Sequence, residues 1–169
     1  PTPGLRRRRR LYQSAIKGTG WILSDAGGAC EDINVCAGSR TCNAGRMNAV
    51  DTGMKVTNTF KALVASAQTY LDCSGGTSSW SGAFNAEMPS YINGACGYMA
   101  DGFSTCSASY GTSPRVCCCV LPGEDAATMC PVQASDCGPG FTYDASTGIC
   151  VDACASANKV YDAFTDTCV

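Results

Sequence analysis

Arg115-Val116-Cys117-Cys118-Cys119-Val120 decides the reading of this chain. Adjacent cysteines rarely bond to each other, because a disulfide needs more widely spaced Cα atoms and convergent side chains. On an extended strand, successive side chains point to opposite faces. Cys117 and Cys119 are therefore expected to staple to one layer and Cys118 to the other. Residues 115–120 read as a central strand tied on both faces.

Working outward, the chain holds 14 cysteines in 169 residues and no histidine. That cysteine density reads as a disulfide scaffold, and an even count allows every thiol to pair. Cys30, Cys36, Cys42, Cys73, Cys96, Cys106, Cys117, Cys118, Cys119, Cys130, Cys137, Cys150, Cys154 and Cys168 are expected to form structural bridges. The spacing C-x5-C-x5-C at Cys30, Cys36 and Cys42 does not match the paired short spacings of zinc sites. Neither metal nor cofactor is expected. Such a disulfide load predicts an oxidising, extracellular location. No apolar run approaches the roughly 20 residues of a membrane-spanning helix. Lacking an initiator Met and a signal peptide, the sequence reads as a mature or fragmentary chain. No asparagine lies in an N-glycosylation sequon, whereas the many Ser and Thr and the Pro1-Thr2-Pro3 tip are candidate O-glycan acceptors.

The expected fold is a small disulfide-rich α+β domain, with one main helix on a short sheet, followed by disulfide-stapled short hairpin repeats. Residues 1–20 read as an N-terminal arm and strand, with Leu11 to Ile16 alternating as a strand does. Residues 21–121 form the cysteine-rich α+β domain. Ser24 or Asp25 is placed to cap a short helix carrying Cys30. Thr57 or Asn58 is a candidate N-cap for the main helix, within 57–71. Its inward face would hold Phe60, Leu63, Val64, Ala67 and Leu71, with Lys61 and Gln68 outward. Tyr91, Tyr98, Phe103 and Tyr110 punctuate a Gly/Ser-rich stretch of short strands and turns. They suggest an aromatic-lined sugar site, although aromatics in thin cores usually fill space.

Pro122-Gly123 reads as a boundary, and residues 122–169 as tandem repeats. Residues 143–151 match residues 161–169 at Tyr, Asp, Ala, Thr, Cys and Val, with a period of 18. Each unit is too small to bury a core, so stacking and bridges must hold it. Residues 30–119 contain nine cysteines and residues 130–168 contain five. Both counts are odd, so full pairing requires at least one bridge across the boundary.

The net charge of −2 hides a polarity. Arg6, Arg7, Arg8, Arg9 and Arg10 give the arm +5. Residues 120–169 carry Glu124, Asp125, Asp136, Asp144, Asp152, Asp162 and Asp166 against Lys159 alone, or −6. The arginine run could bind nucleic acid or an acidic glycan, mark a processing site, or dock to an acidic partner. The acidic end of this same chain favours docking, and nucleic acid is not expected as a partner.

Two stretches resemble known families. The pattern from Cys137 to Val151, C-x-x-G followed by Tyr-Asp, Thr and Cys-Val, is similar to EGF-like and trypsin-inhibitor-like cysteine-rich repeats. Trp21-Ile22-Leu23, Gly28-Ala29-Cys30, Thr41-Cys42, Gly94-Ala95-Cys96, Ser104-Thr105-Cys106 and the Cys117–Cys119 run resemble a cysteine-rich domain of secreted and surface proteins of algae and other protists. The resemblance implies an extracellular structural role, as in mastigoneme-like flagellar hairs, cell-wall proteins or secreted fibrils.

Catalysis is not expected. With no histidine, a nucleophile would need Lys, Asp or an amine as its base, and no lysine or arginine lies in a recognisable catalytic motif. The leading expectation is a homopolymeric structural protomer that assembles head to tail into a filament. Its arm arginines and Leu11, Tyr12 and Ile16 would be held by a neighbouring copy. A monomeric secreted binding module for carbohydrate or a cell-surface ligand is the alternative, and the tail alone suggests a protease inhibitor.

Overall fold

The computed structural model describes residues 16–17, 20–66, 68–69, 71–81, 86–109, 111–137, 140–154, 161–162 and 167–168. Strands β1 (Ile16–Lys17), β2 (Trp21–Leu23) and β3 (Thr41–Cys42) precede helices α1 (Ala44–Asn48) and α2 (Gly53–Ala65). Strands β4 (Thr77–Trp80), β5 (Ser90–Ile92), β6 (Ala95–Met99) and β7 (Val116–Val120) follow, then helix α3 (Ala126–Met129) and a 3₁₀ turn at Ala134–Asp136. Strands β8 (Phe141–Asp144), β9 (Ile149–Asp152), β10 (Tyr161–Asp162) and β11 (Thr167–Cys168) complete a small disulfide-rich α+β fold.

Strand β7 is the centre of the β2-β7-β3 sheet, and all five of its residues are buried. Trp21 lies opposite Cys118, and Cys42 lies opposite Cys119. Cys117 bonds to Cys30 and Cys119 to Cys36, both in the turn-rich segment after β2. Cys118 points the other way, to Cys130 at the end of α3. The two-fold alternation of the strand thus lets three consecutive cysteines anchor two different layers. The remaining bridges are Cys42–Cys106, Cys73–Cys96, Cys137–Cys150 and Cys154–Cys168, and no cysteine is free.

Residues 24–40 do not contain the expected helix. The Ser24 hydroxyl is turned inward and accepts the Arg115 N–H at 3.0 Å, so it is not available as a cap. Tying both Cys30 and Cys36 to alternate residues of one strand holds the segment as successive turns across that strand's face.

The main helix also differs from expectation. It begins at Gly53, with Thr52 as the N-cap accepting the Lys55 N–H. Thr57 is inside the helix and donates its hydroxyl to the Gly53 carbonyl at 2.8 Å. The inward residues are Val56, Thr59, Phe60, Ala62 and Leu63, whereas Val64 is 43% exposed. The observed stripe of Val56, Thr59, Phe60 and Leu63 shares Phe60 and Leu63 with the expected one but is rotated toward Thr59 and away from Val64. The Thr59 hydroxyl tolerates burial because it donates to the Lys55 carbonyl at 2.9 Å. Beyond the Ser66 C-cap, Gln68 turns onto β2, where it donates to the Trp21 carbonyl and accepts the Leu23 N–H. Leu71 packs on the core from outside the helix, and Ala67 lies outside the described residues. Leu63→Ala is expected to cost about 2–5 kcal/mol, and Val64→Ala less than about 0.5 kcal/mol. Urea unfolding of the two variants checks the assigned face.

Helix α2 packs against β2, β4 and β6. Strand β6 is central in its sheet, parallel to β4 and antiparallel to β5. Packing does not stop at the Pro122-Gly123 turn. Cys130 and Val132 belong to the same buried cluster as Trp21, Phe60 and Leu63, and the Trp21 indole N–H donates to the Pro131 carbonyl at 3.1 Å. Arg46 of α1 bonds both the Cys130 carbonyl and the Asp136 carboxylate. Strands β8 and β9 form an antiparallel pair closed by Cys137–Cys150, and β10 and β11 one closed by Cys154–Cys168.

Candidate functional site

A groove of about 530 Å³ opens where the body and the first tail hairpin meet. One wall is α2, presenting Thr57, Lys61 and Val64 over a floor that includes Phe60. Asp72-Cys73-Ser74 forms the second wall, held to β6 by the Cys73–Cys96 bridge. The third is the β8–β9 turn, through Ser146 and Thr147.

Each wall is fixed by identifiable contacts. Gly148 adopts φ +70°, and a Cβ there would overlap the Asn58 carbonyl of α2. Glycine is needed at this point both for the turn and for the close approach. Lys61 donates its ammonium to the Ala145 carbonyl at 3.0 Å, and the Asn58 side chain donates to the Val132 carbonyl at 2.9 Å. The turn itself is organised by Asp144, which accepts from the Ser146 hydroxyl and N–H and from the Thr147 hydroxyl.

Those bonds, with the Ser146 hydroxyl contributing most, hold the Asp144 carboxyl at about 2, below the ordinary carboxylate range. The Ser74 side chain, followed by the Ser74 N–H, lowers Asp72 in the same way. Both groups stay ionised at neutral pH, which makes them poor proton donors or acceptors and good fixed negative charges. The sign of the pH effect follows. A carboxyl whose folded pKa is depressed stabilises the turn fully above its unfolded value of about 3.9, and the contribution is lost as pH falls through the folded value. The Ser146 amide resonance is expected to titrate near pH 2 and to stop titrating in Asp144→Asn. A midpoint near 4 would contradict this account.

Much of the remaining tail acidity is committed to the main chain. Asp125 caps α3 and is lowered chiefly by the Thr128 hydroxyl. Glu124 accepts from the Leu121 N–H, Asp136 from the Val132 and Gln133 N–H groups, and Asp152 from the Cys154 N–H. These carboxylates are therefore placed by turns and caps on a bridged scaffold.

Arg6, Arg7, Arg8, Arg9, Arg10, Leu11 and Tyr12 lie outside the described residues, as do Asp166 and Lys159. Ile16, expected to join a neighbour's sheet, instead pairs within its own chain, opposite Val151. The tail sheet provides a free edge at β9, and an antiparallel partner from the same chain satisfies it without the entropy loss of bringing two molecules together. Among the described residues, the aromatic stretch is divided between core and surface. Tyr91 packs on the core with its ring centroid 5.9 Å from that of Phe60, Tyr98 is also packed there, and Phe103 is exposed. Tyr110 lies outside the described residues. Among the described residues, no group of three or more Cys, Asp or Glu side chains is placed to hold a metal ion. Likewise, no described helix is long and apolar enough to cross a membrane.

Sequence reasoning missed two buried charged residues, Arg115 and Glu87. Arg115 is 1% exposed and donates to the Ala108, Ala86 and Met88 carbonyls. Burial pushes its guanidinium down to about 10, opposed by the nearby Glu87 carboxylate. It remains a cation at neutral pH, locked inside the body and contributing nothing to an outward basic surface. No protein-family model, curated protein or solved structure matches this chain.

Proposed function

We propose that this chain is an extracellular structural protomer that assembles head to tail into a filament through its N-terminal arm. The observation that carries the reading is the combination of a chain closed by seven disulfides with ionised carboxylates fixed on it by caps and turns, and of five consecutive arginines in the same chain. Arginine's planar fork pairs bidentately with carboxylates. A contact between one end of a molecule and a different surface of the next propagates unless it closes into a ring. Because Ile16 pairs in its own chain, the exchanged segment in this proposal is residues 1–15. O-linked glycans on the Ser- and Thr-rich surface fit the same extracellular setting, and nucleic acid has no part in it.

Deleting residues 1–15 is expected to leave a folded, fully bridged monomer that does not assemble, as measured by sedimentation and electron microscopy without reductant. Replacing Arg6 to Arg10 by serine is expected to slow assembly and blunt its salt dependence, since screened surface charges steer more than they hold. Filaments formed equally well by the deletion variant would overturn the proposal. The groove of about 530 Å³ favours one second reading, a monomeric binding module, in which the full chain would remain monomeric at high concentration.

A further inference from the structure

We infer that the groove between α2, the Asp72–Ser74 loop and the β8–β9 turn is the receptor for the arm of a second copy, taking the segment around Arg9-Arg10-Leu11-Tyr12. The inference rests on the head-to-tail reading above and adds the surface that reading lacks.

Two observations converge on this occupant. The first is chemistry. The groove has an apolar wall at Val64 and a carboxylate at its edge in Asp72. A second carboxylate, Asp144, lies one hydrogen bond behind Ser146 and Thr147. The cation in the wall, Lys61, is engaged with the Ala145 carbonyl. A ligand combining apolar side chains with adjacent positive charge suits such a surface, and Arg9-Arg10-Leu11-Tyr12 has that composition. An anionic or purely apolar ligand would not use the carboxylates.

The second is size. A volume of about 530 Å³ lies within the roughly 300–1,000 Å³ of sites that enclose a small ligand or a few side chains. That is enough for a leucine and a tyrosine with their backbone, while the arginines reach the rim.

The test uses the full chain, with Tyr12 replaced by the photo-crosslinker p-benzoylphenylalanine, as an equal mixture of ¹⁴N- and ¹⁵N-labelled protein under assembling conditions. Mixed-isotope crosslinks to residues 57–65 or 72–74 are the expected result. In parallel, Val64→Lys is expected to raise the concentration needed for assembly by about tenfold, or about 1.4 kcal/mol. Val64 is exposed, so the variant should fold, and Ile33→Lys, at an exposed apolar residue outside the groove, should change nothing. Mixed-isotope crosslinks to a different surface, with Val64→Lys assembling normally, would overturn the groove and leave the arm-exchange reading standing. Crosslinks confined to single-isotope chains, or a chain that does not assemble, would overturn both.

Discussion

Replacing Cys30 and Cys117 together by alanine is expected to lower the unfolding free energy by only about 2–3 kcal/mol, although the bridge spans 87 residues. Loop-closure entropy depends on the loop that remains to be closed. With Cys36–Cys119 intact, Cys30–Cys117 closes only the short path from residue 30 to 36 and from 117 to 119. The same reasoning gives about 2–3 kcal/mol for removing Cys36–Cys119 alone. Removing both leaves Cys42–Cys106 as the nearest closure and is expected to cost about 5–6 kcal/mol, somewhat more than the sum of the two. That loss is comparable to the whole stability of many domains, about 5–15 kcal/mol. Urea midpoints of the two double variants and the quadruple variant test the claim. A quadruple variant destabilised no more than either double variant would show that the bridges do not act through chain entropy.

The second large effect is expected at Arg115. Its guanidinium satisfies three main-chain carbonyls and compensates Glu87, itself buried. Arg115→Ala removes the cation, takes the donor from the Ala108 and Met88 carbonyls (Ala86 keeps the Thr105 N–H) and leaves buried Glu87 without its counter-charge, which together should cost about 3–5 kcal/mol. Removing both charges is gentler. Arg115→Met with Glu87→Gln should recover part of the loss, because neither buried charge is then left without the other. The comparison separates charge compensation from packing. If Arg115→Ala unfolds within about 1 kcal/mol of the parent chain, the role assigned to this side chain is wrong.

Strand β7 was legible because its signal is purely local. Adjacent cysteines rarely bond to one another, and a period of two distributes the three without reference to the rest of the chain. The existence of α2 was legible for the same reason, but its face was not. Thr52, Thr57 and Asn58 are all acceptable caps, and stripes starting at Val56 or Phe60 are both apolar. Only the packed neighbours choose between them. Arg115 read only as the first residue of that strand, since a charged side chain gives no local sign that carbonyls from residues 86, 88 and 108 will surround it. The groove was invisible because its walls come from residues 57–65, 72–74 and 146–147, which no short window contains. Asp144-Ala145-Ser146-Thr147 did carry a readable signal, an aspartate placed to bond its own following residues. It was absorbed into a general count of acidic charge.

The bridging pattern has a mechanical meaning. A pull applied to both ends of this molecule passes from Cys30 directly to Cys117, along one residue to Cys118, and across to Cys130. It then follows the backbone to Cys137, crosses to Cys150, continues to Cys154 and leaves through Cys168. The segments enclosed by these bridges, 31–116, 119–129, 138–149 and 155–167, are shielded from load. Between Cys30 and Cys168 the fully stretched covalent path is roughly 60 Å, against roughly 480 Å for the reduced chain, at about 3.5 Å per residue and about 5.5 Å per bridge. Tension can strip the sheets apart without letting the molecule lengthen far, so each unit resists stretching through covalent bonds, and a reductant removes that resistance.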